Sequence, residues 1–241
     1  AKYCTYPGIG VDVEAIEREK ESALYVVNKV EKEIYRISNK TPETFNIASA
    51  PQKRNVLFGY FRVPTKEMIL TDKGELPVDI NALKKIAKFE NRVSSGIFEE
   101  DIQDTDGSVI VSKDELNKMK YPVARLLLIH SDLTKNISSY YNGMLNNTVQ
   151  GVYNPQYKDG STDTWRSTDR IQITKKGMKY NMCVYNSDYE FADADYAAEE
   201  FRLAVNASGD PVLIKMLQNP ENDAHTGTAA KVFNVEPQYV V

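Results

Sequence analysis

Oxygen-bearing side chains recur at alternate positions in one short segment, Asp104-Thr-Asp106-Gly-Ser108-Val-Ile110-Val-Ser112-Lys-Asp-Glu115. Counted from Asp104, they occupy positions one, three, five, nine and twelve, with Ile110 at seven and Val111 at eight. Hard oxygen ligands on this spacing can wrap a Ca²⁺ ion. Asp104, Asp106, Ser108 and Ser112 would then ligate through side chains, Ile110 through its carbonyl and Glu115 through both carboxylate oxygens. The same residues also suit simpler work. Asp104 and Asp106 can shape a turn by accepting backbone N–H groups, and Ser112 with Glu115 makes the capping pair of a helix start.

The calcium spacing resembles an EF-hand loop over roughly residues 55–120. That resemblance implies a calcium-responsive binding protein, with a helix from Asp114 leaving the loop and Ile97, Phe98 and Ile102 on the helix entering it. Position six, Gly in that family, is Val109. A partner loop, Ile69 to Ile80, keeps Gly74 at six and Leu76 at eight, but Ile69, Lys73 and Ile80 cannot ligate, so its role is structural.

Other chemistry is sparse. Two histidines and the cysteines Cys4 and Cys183 give no zinc spacing, and neither a nucleophile elbow nor a phosphate-binding glycine loop occurs. His130 falls on an apolar helical stretch and reads as a satisfied residue of the core boundary. His225, in Asn222-Asp-Ala-His-Thr-Gly227, could do acid and base work, which makes an enzyme built around it a further alternative. The run Glu99-Glu100-Asp101 reads as solvated surface.

The elements that must position these residues follow from periodicity. Val13, Ile16, Ala23, Val27, Val30, Ile34 and Ile37 recur at spacings of three and four, which predicts a long amphipathic helix ending near Asn39. Its stripe can pack within the chain or meet a partner helix. Val56 to Val63 suits a buried strand or helix, Ile80 to Val93 an amphipathic helix, and Asp114 to Tyr141 a helical run restarted at Pro122. After Asn142 the language changes to short Tyr- and Val-rich runs between turn signals, with strands expected at 148–153, 168–174 and 180–185. Helices follow at Asp195 to Val205, capped by Asp193 or Asp195, and at Val212 to Leu217, then an extended tail from Lys231. The expected fold is therefore α+β: a long N-terminal helix, a helical middle and a strand-rich C-terminal region, divided as 1–141 and 142–241.

Thirty basic against 34 acidic residues give a net charge of −4, which speaks against a strongly basic nucleic-acid binder. No apolar run is long enough to span a bilayer. With contact surfaces evident and catalytic motifs absent, the sequence reads as a non-enzymatic structural or adaptor subunit of a larger assembly. It would meet other protein subunits through the helix Val13 to Ile37 and the Tyr-rich C-terminal region, with no nucleic-acid partner and Ca²⁺ as its one candidate cofactor.

Overall fold

A computed structural model describes residues 8–66, 68–91, 93–155, 180–184, 188, 190, 199–218 and 224–236. The chain divides into two compact units, residues 1–189 and 190–241.

The first unit is organised by α1, Val13–Ser38. Asp12 caps it by accepting the Ala15 N–H at 2.9 Å, and Asn39 ends it in the left-handed region at φ 51°. Its inward stripe of Ile16, Ala23, Val26, Val27, Val30 and Ile34 is buried. The stripe packs mainly against α5, Pro122–Lys135, whose Val123, Leu126 and Leu127 are equally buried. The face offered to a partner helix in the sequence reading is thus consumed inside the unit.

Between α1 and α5 come α2 (Ala50–Arg54), α3 (Ile80–Ala87) and α4 (Lys113–Lys118). The ambiguous stretch after Asn55 is helical, with a π turn over Asn55–Tyr60 that buries Val56 and Leu57. α3 stops at Ala87, earlier than expected, because Phe89 to Asn91 leave the helix and pair with Lys118 to Lys120 around a Glu90–Met119 bridge. β2 (Ile102–Gln103) and β3 (Val109–Val111) form a two-stranded hairpin, and Ile110 is its bulge residue, since Gln103 pairs with Val109 and Ile102 with Val111.

α5 runs on through a second π turn, Asn136–Tyr141, into α6, Asn142–Asn146, so residues 141 and 142 lie within one continuous helical path. A small antiparallel sheet closes this end in the order β4-β5-β1-β6: Thr148–Val149, Val152–Tyr153, Ile9–Val11 and Met182–Cys183. The single strand expected at 148–153 is a hairpin instead. Gln150 and Gly151, at φ 51° and 76°, make the two-residue turn whose twist matches its strands. The strand expected at 168–174 lies outside the described residues.

The second unit holds α7 (Glu199–Ser208), α8 (Pro211–Gln218) and α9 (Ala224–Phe233). Asp210 caps α8 by accepting the Val212 and Leu213 N–H groups at 2.8 and 3.1 Å. α9 meets α8 at Gly227, where a Cβ would lie 2.7 Å from Met216 Sδ. The mixed α+β class and the long first helix stand as expected. A strand-rich C-terminal region does not: the described residues there are mainly helical, and Lys231 to Phe233 continue α9 where an extended tail was expected.

One polar junction ties α1 to the sheet end. Glu19 accepts from Asn181 Nδ2 at 2.9 Å and hydrogen-bonds the Tyr141 hydroxyl. Burial, reinforced by the Glu19 charge and hydrogen bond, pushes the Tyr141 phenol up to about 12. The folded chain therefore holds the neutral form. Its stabilisation is complete below about pH 10, the unfolded value, and disappears as pH rises through about 12. Unfolding followed by denaturant between pH 9 and 12 should show a loss of roughly 2 kcal/mol that is missing in Tyr141→Phe. Equal pH profiles for the two proteins would exclude this linkage.

Candidate functional site

The Asp104 loop folds as a turn. Gly107 takes the positive φ, 87°, while Val109 is extended within β3, so the chain makes no left-handed bend at position six and returns antiparallel onto β2. Asp104 Oδ1 accepts the N–H groups of Asp106 and Ser108 at 3.1 and 3.2 Å, and Asp106 Oδ1 accepts from Ser108 at 2.7 Å. Hydrogen bonds, first with the Asp104 side chain and then with Ser108, hold the Asp106 carboxyl down at about 2. Ser112 Oγ accepts from Glu115 N at 3.1 Å as the cap of α4, and Glu115 Oε1 accepts from Arg125 Nε at 2.9 Å.

The EF-hand resemblance is thereby corrected. No helix enters the loop: Phe98 precedes β2 in irregular chain and Ile102 begins that strand. Leu76 and Val111, the position-eight residues that an EF-hand pair would join in a short β-bridge, are not joined: Val111 pairs with Ile102, and the Leu76 carbonyl accepts from Arg54 Nε at 2.8 Å. Contacts of Asp104, Asp106, Ser108, Ser112 and Glu115 are explained by turn, cap and ion pair, so Ca²⁺ at this loop, with Ile110 as carbonyl ligand, rests on spacing alone. Among the described residues no group of three or more His, Cys, Asp or Glu side chains is placed to hold a metal ion.

Other marked residues are equally accounted for. Asp101 Oδ1 accepts from Lys113 N at 2.7 Å, tying the Glu99–Asp101 run to the start of α4. His130 Nε2 meets Glu31 Oε1 at 2.9 Å across the α1–α5 interface, a satisfied boundary residue as expected. His225 is the second residue of α9, and its side chain lies outside the described set. A cleft of about 420 Å³ opens between α1 and the 97–102 segment, where Lys29, Lys32 and Arg36 face Glu99, Glu100 and Asp101.

Outside those contacts, the densest run of hard oxygen donors in the second unit is Glu190, Asp193, Asp195, Glu199 and Glu200. It leads into α7, whose first turn carries Glu199 and Glu200. Asp193 and Asp195 are also the residues expected to cap this helix, but five carboxylates within eleven residues exceed what one cap requires.

Comparison with known proteins decides the family. Residues 99–241, more than half of the chain, match the pattern of DNA polymerase family A. The chain belongs to that family. Its fold agrees with this membership: the POL domain of Pol1 from M. smegmatis, solved in complex with DNA primer-template and dNTP, is similar with a TM-score of 0.66 over 97% of this chain at 21% identity. This family A chain spans 36% of the length of that structure. No curated protein sequence matches it.

Membership overturns the reading as a non-enzymatic adaptor with no nucleic-acid partner. Net charge misled because it sums over the whole surface, whereas phosphate contacts need only a local excess of lysine or arginine. The Tyr-rich region and the α1 stripe misled because contact area alone does not separate a docking face from a core: Tyr140, Tyr141 and Tyr153 are buried. The catalytic motifs sought belong to hydrolysis, zinc and P-loop chemistry, none of which this family A chain displays.

Proposed function

We propose that this chain supplies part of a template-directed DNA polymerase, a nucleotidyltransferase. In that reaction the primer's terminal 3′ oxygen bonds to the α-phosphorus of an incoming deoxynucleoside triphosphate, the bond to the β-phosphate bridging oxygen breaks, and pyrophosphate leaves. The hydroxyl proton passes to solvent. The observation carrying this reading is the family match over residues 99–241, supported by a fold match along nearly the whole chain.

The reaction places a requirement on the residues. A divalent cation, when bound, neutralises charge developing on the phosphates. For such a cation we assign the carboxylate run from Glu190 to Glu200, the densest run of hard oxygen donors in the second unit. In the second unit, α7 is anchored by buried Val205 and held to α8 through a hydrogen bond from Arg202 to the Leu217 carbonyl at 3.4 Å. That packing gives the run's helical end a fixed base. The first unit supplies the α1–α5 scaffold.

Extension of a labelled primer on a complementary template, by the protein that carries this chain, tests the reading. Elongation should require the template-complementary nucleotide and stop on addition of EDTA. The absence of both elongation and primer-template binding at low salt would overturn it.

A further inference from the structure

We propose that the cleft between α1 and the 97–102 segment is a docking groove for an extended segment of a partner protein whose side chains alternate in charge, acidic toward α1 and basic toward Glu99–Asp101. This role does not depend on the polymerase reading. The cleft holds about 420 Å³ and its two walls differ in sign. Lys29, Lys32 and Arg36 line one wall, spaced three and four residues apart and so in one row along α1. Glu99, Glu100 and Asp101 line the other. Glu33 pairs with Arg36 inside the α1 row, and among the described residues no ion pair joins the two walls.

Opposite charges that face each other would close on one another if they were free to move. Here both walls are pinned. The buried stripe fixes α1 on α5, and the acidic wall is held from its other side. Asn117 takes both backbone groups of Phe98, Lys113 N donates to Asp101 Oδ1 at 2.7 Å, and Lys113 Nζ donates to the Glu99 carbonyl at 3.1 Å. Two hydrogen bonds span the ends of the cleft: Arg36 Nη2 to the Ile97 carbonyl at 3.2 Å and Lys29 Nζ to the Gln103 carbonyl at 3.4 Å. Between those ends Lys32, Glu99 and Glu100 stay exposed and without ionic partners.

The two signs narrow the choice of occupant. A polyanion meets repulsion from the acidic wall, and a polycation from the α1 row. An α-helix, about 10 to 12 Å across with its side chains, is too broad for a cleft of this volume. An extended chain sends successive side chains to opposite faces, so alternating acidic and basic residues place each sign against the wall that attracts it. Lys29 to Arg36 covers about 10 Å of helix axis, the length of about three extended residues.

The test uses the full chain and a labelled synthetic peptide of repeating Glu-Lys, followed by fluorescence anisotropy. A block peptide of the same composition, all Glu before all Lys, presents one sign to both walls at any point and is the control. The repeating peptide should bind about tenfold or more tightly than the block peptide, and rising salt should weaken it. The exchange Lys32→Glu/Glu100→Lys, which puts the wrong sign on each wall, should lower its affinity about tenfold or more at an unchanged thermal midpoint, since both residues are exposed. Lys32→Gln/Glu100→Gln removes attraction without adding repulsion and should cost less than the exchange. No binding of the repeating peptide, equal binding of the block peptide, or an exchange variant that binds as before would overturn the groove. So would equal losses in the two variants, which would point to packing. None of these readouts involves primer elongation, so the groove and the polymerase reading fail separately.

Discussion

Asp193→Asn combined with Asp195→Asn should lower primer elongation by about three orders of magnitude or more, while primer-template affinity stays within a few-fold of the unaltered protein. Chemistry and the local density of carboxylates lead to this pair. Nucleotidyl transfer builds charge on phosphate oxygens, and a hard cation held by carboxylates offsets it by several kcal/mol. Many carboxylates of the matched region have other uses: Asp101 accepts from Lys113, Asp104 and Asp106 shape their turn, Glu115 pairs with Arg125 and Asp210 caps α8. Asp193 and Asp195 sit at alternate positions in the run that leads into α7. Asn keeps the size and removes the charge, so folding should be preserved while cation affinity falls. Steady-state elongation measured across a Mg²⁺ titration checks it, and elongation within tenfold of the original at every concentration would sink the assignment.

A single sequence exposes regular spacing and backbone-serving chemistry more readily than a ligand role. Long-range regularity was legible: the spacing of Ile16, Ala23, Val27, Val30 and Ile34 marks one helix face, and Asn39 ends it in a conformation its residue type favours; the Asp12 cap emerges only from the structure. Local chemistry was legible where it serves the backbone, as in Ser112 capping α4 and Asp104 holding its turn. The π turns at Asn55–Tyr60 and Asn136–Tyr141 were not, because one added residue in a helical turn leaves the apolar pattern almost unchanged. Nor could spacing decide between ligand and cap at Asp104, Asp106 and Glu115, since both uses want carboxylate oxygens near backbone N–H groups. The same degeneracy holds at Asp193 and Asp195, where a helix cap and a cation ligand want the same carboxylate oxygens. Function was recoverable only from similarity along residues 99–241, where the fold and the family agree.

Asn117→Ala should destabilise the first unit by about 2–4 kcal/mol, the cost of stranding two buried backbone groups. Asn117 is 5% exposed and its carboxamide binds Phe98 on both sides: Oδ1 accepts from Phe98 N at 2.9 Å and Nδ2 donates to Phe98 O at 2.8 Å. Ser95 Oγ adds a contact to Oδ1 at 3.1 Å. Truncation leaves the Phe98 N–H and carbonyl without these partners in a site where Phe98 itself is 4% exposed. Asn117→Asp should be no milder, since it keeps the acceptor but loses the donor and buries a charge. The consequence reaches past stability. Phe98 packs beneath the Arg36 guanidinium, 5.3 Å from its ring, and begins the segment that walls the cleft on α1. Urea unfolding should show a lower midpoint at unchanged slope, together with faster amide exchange at Phe98. A loss below about 1 kcal/mol would mean that water reaches both Phe98 groups and that the 95–98 segment is not sealed against α4.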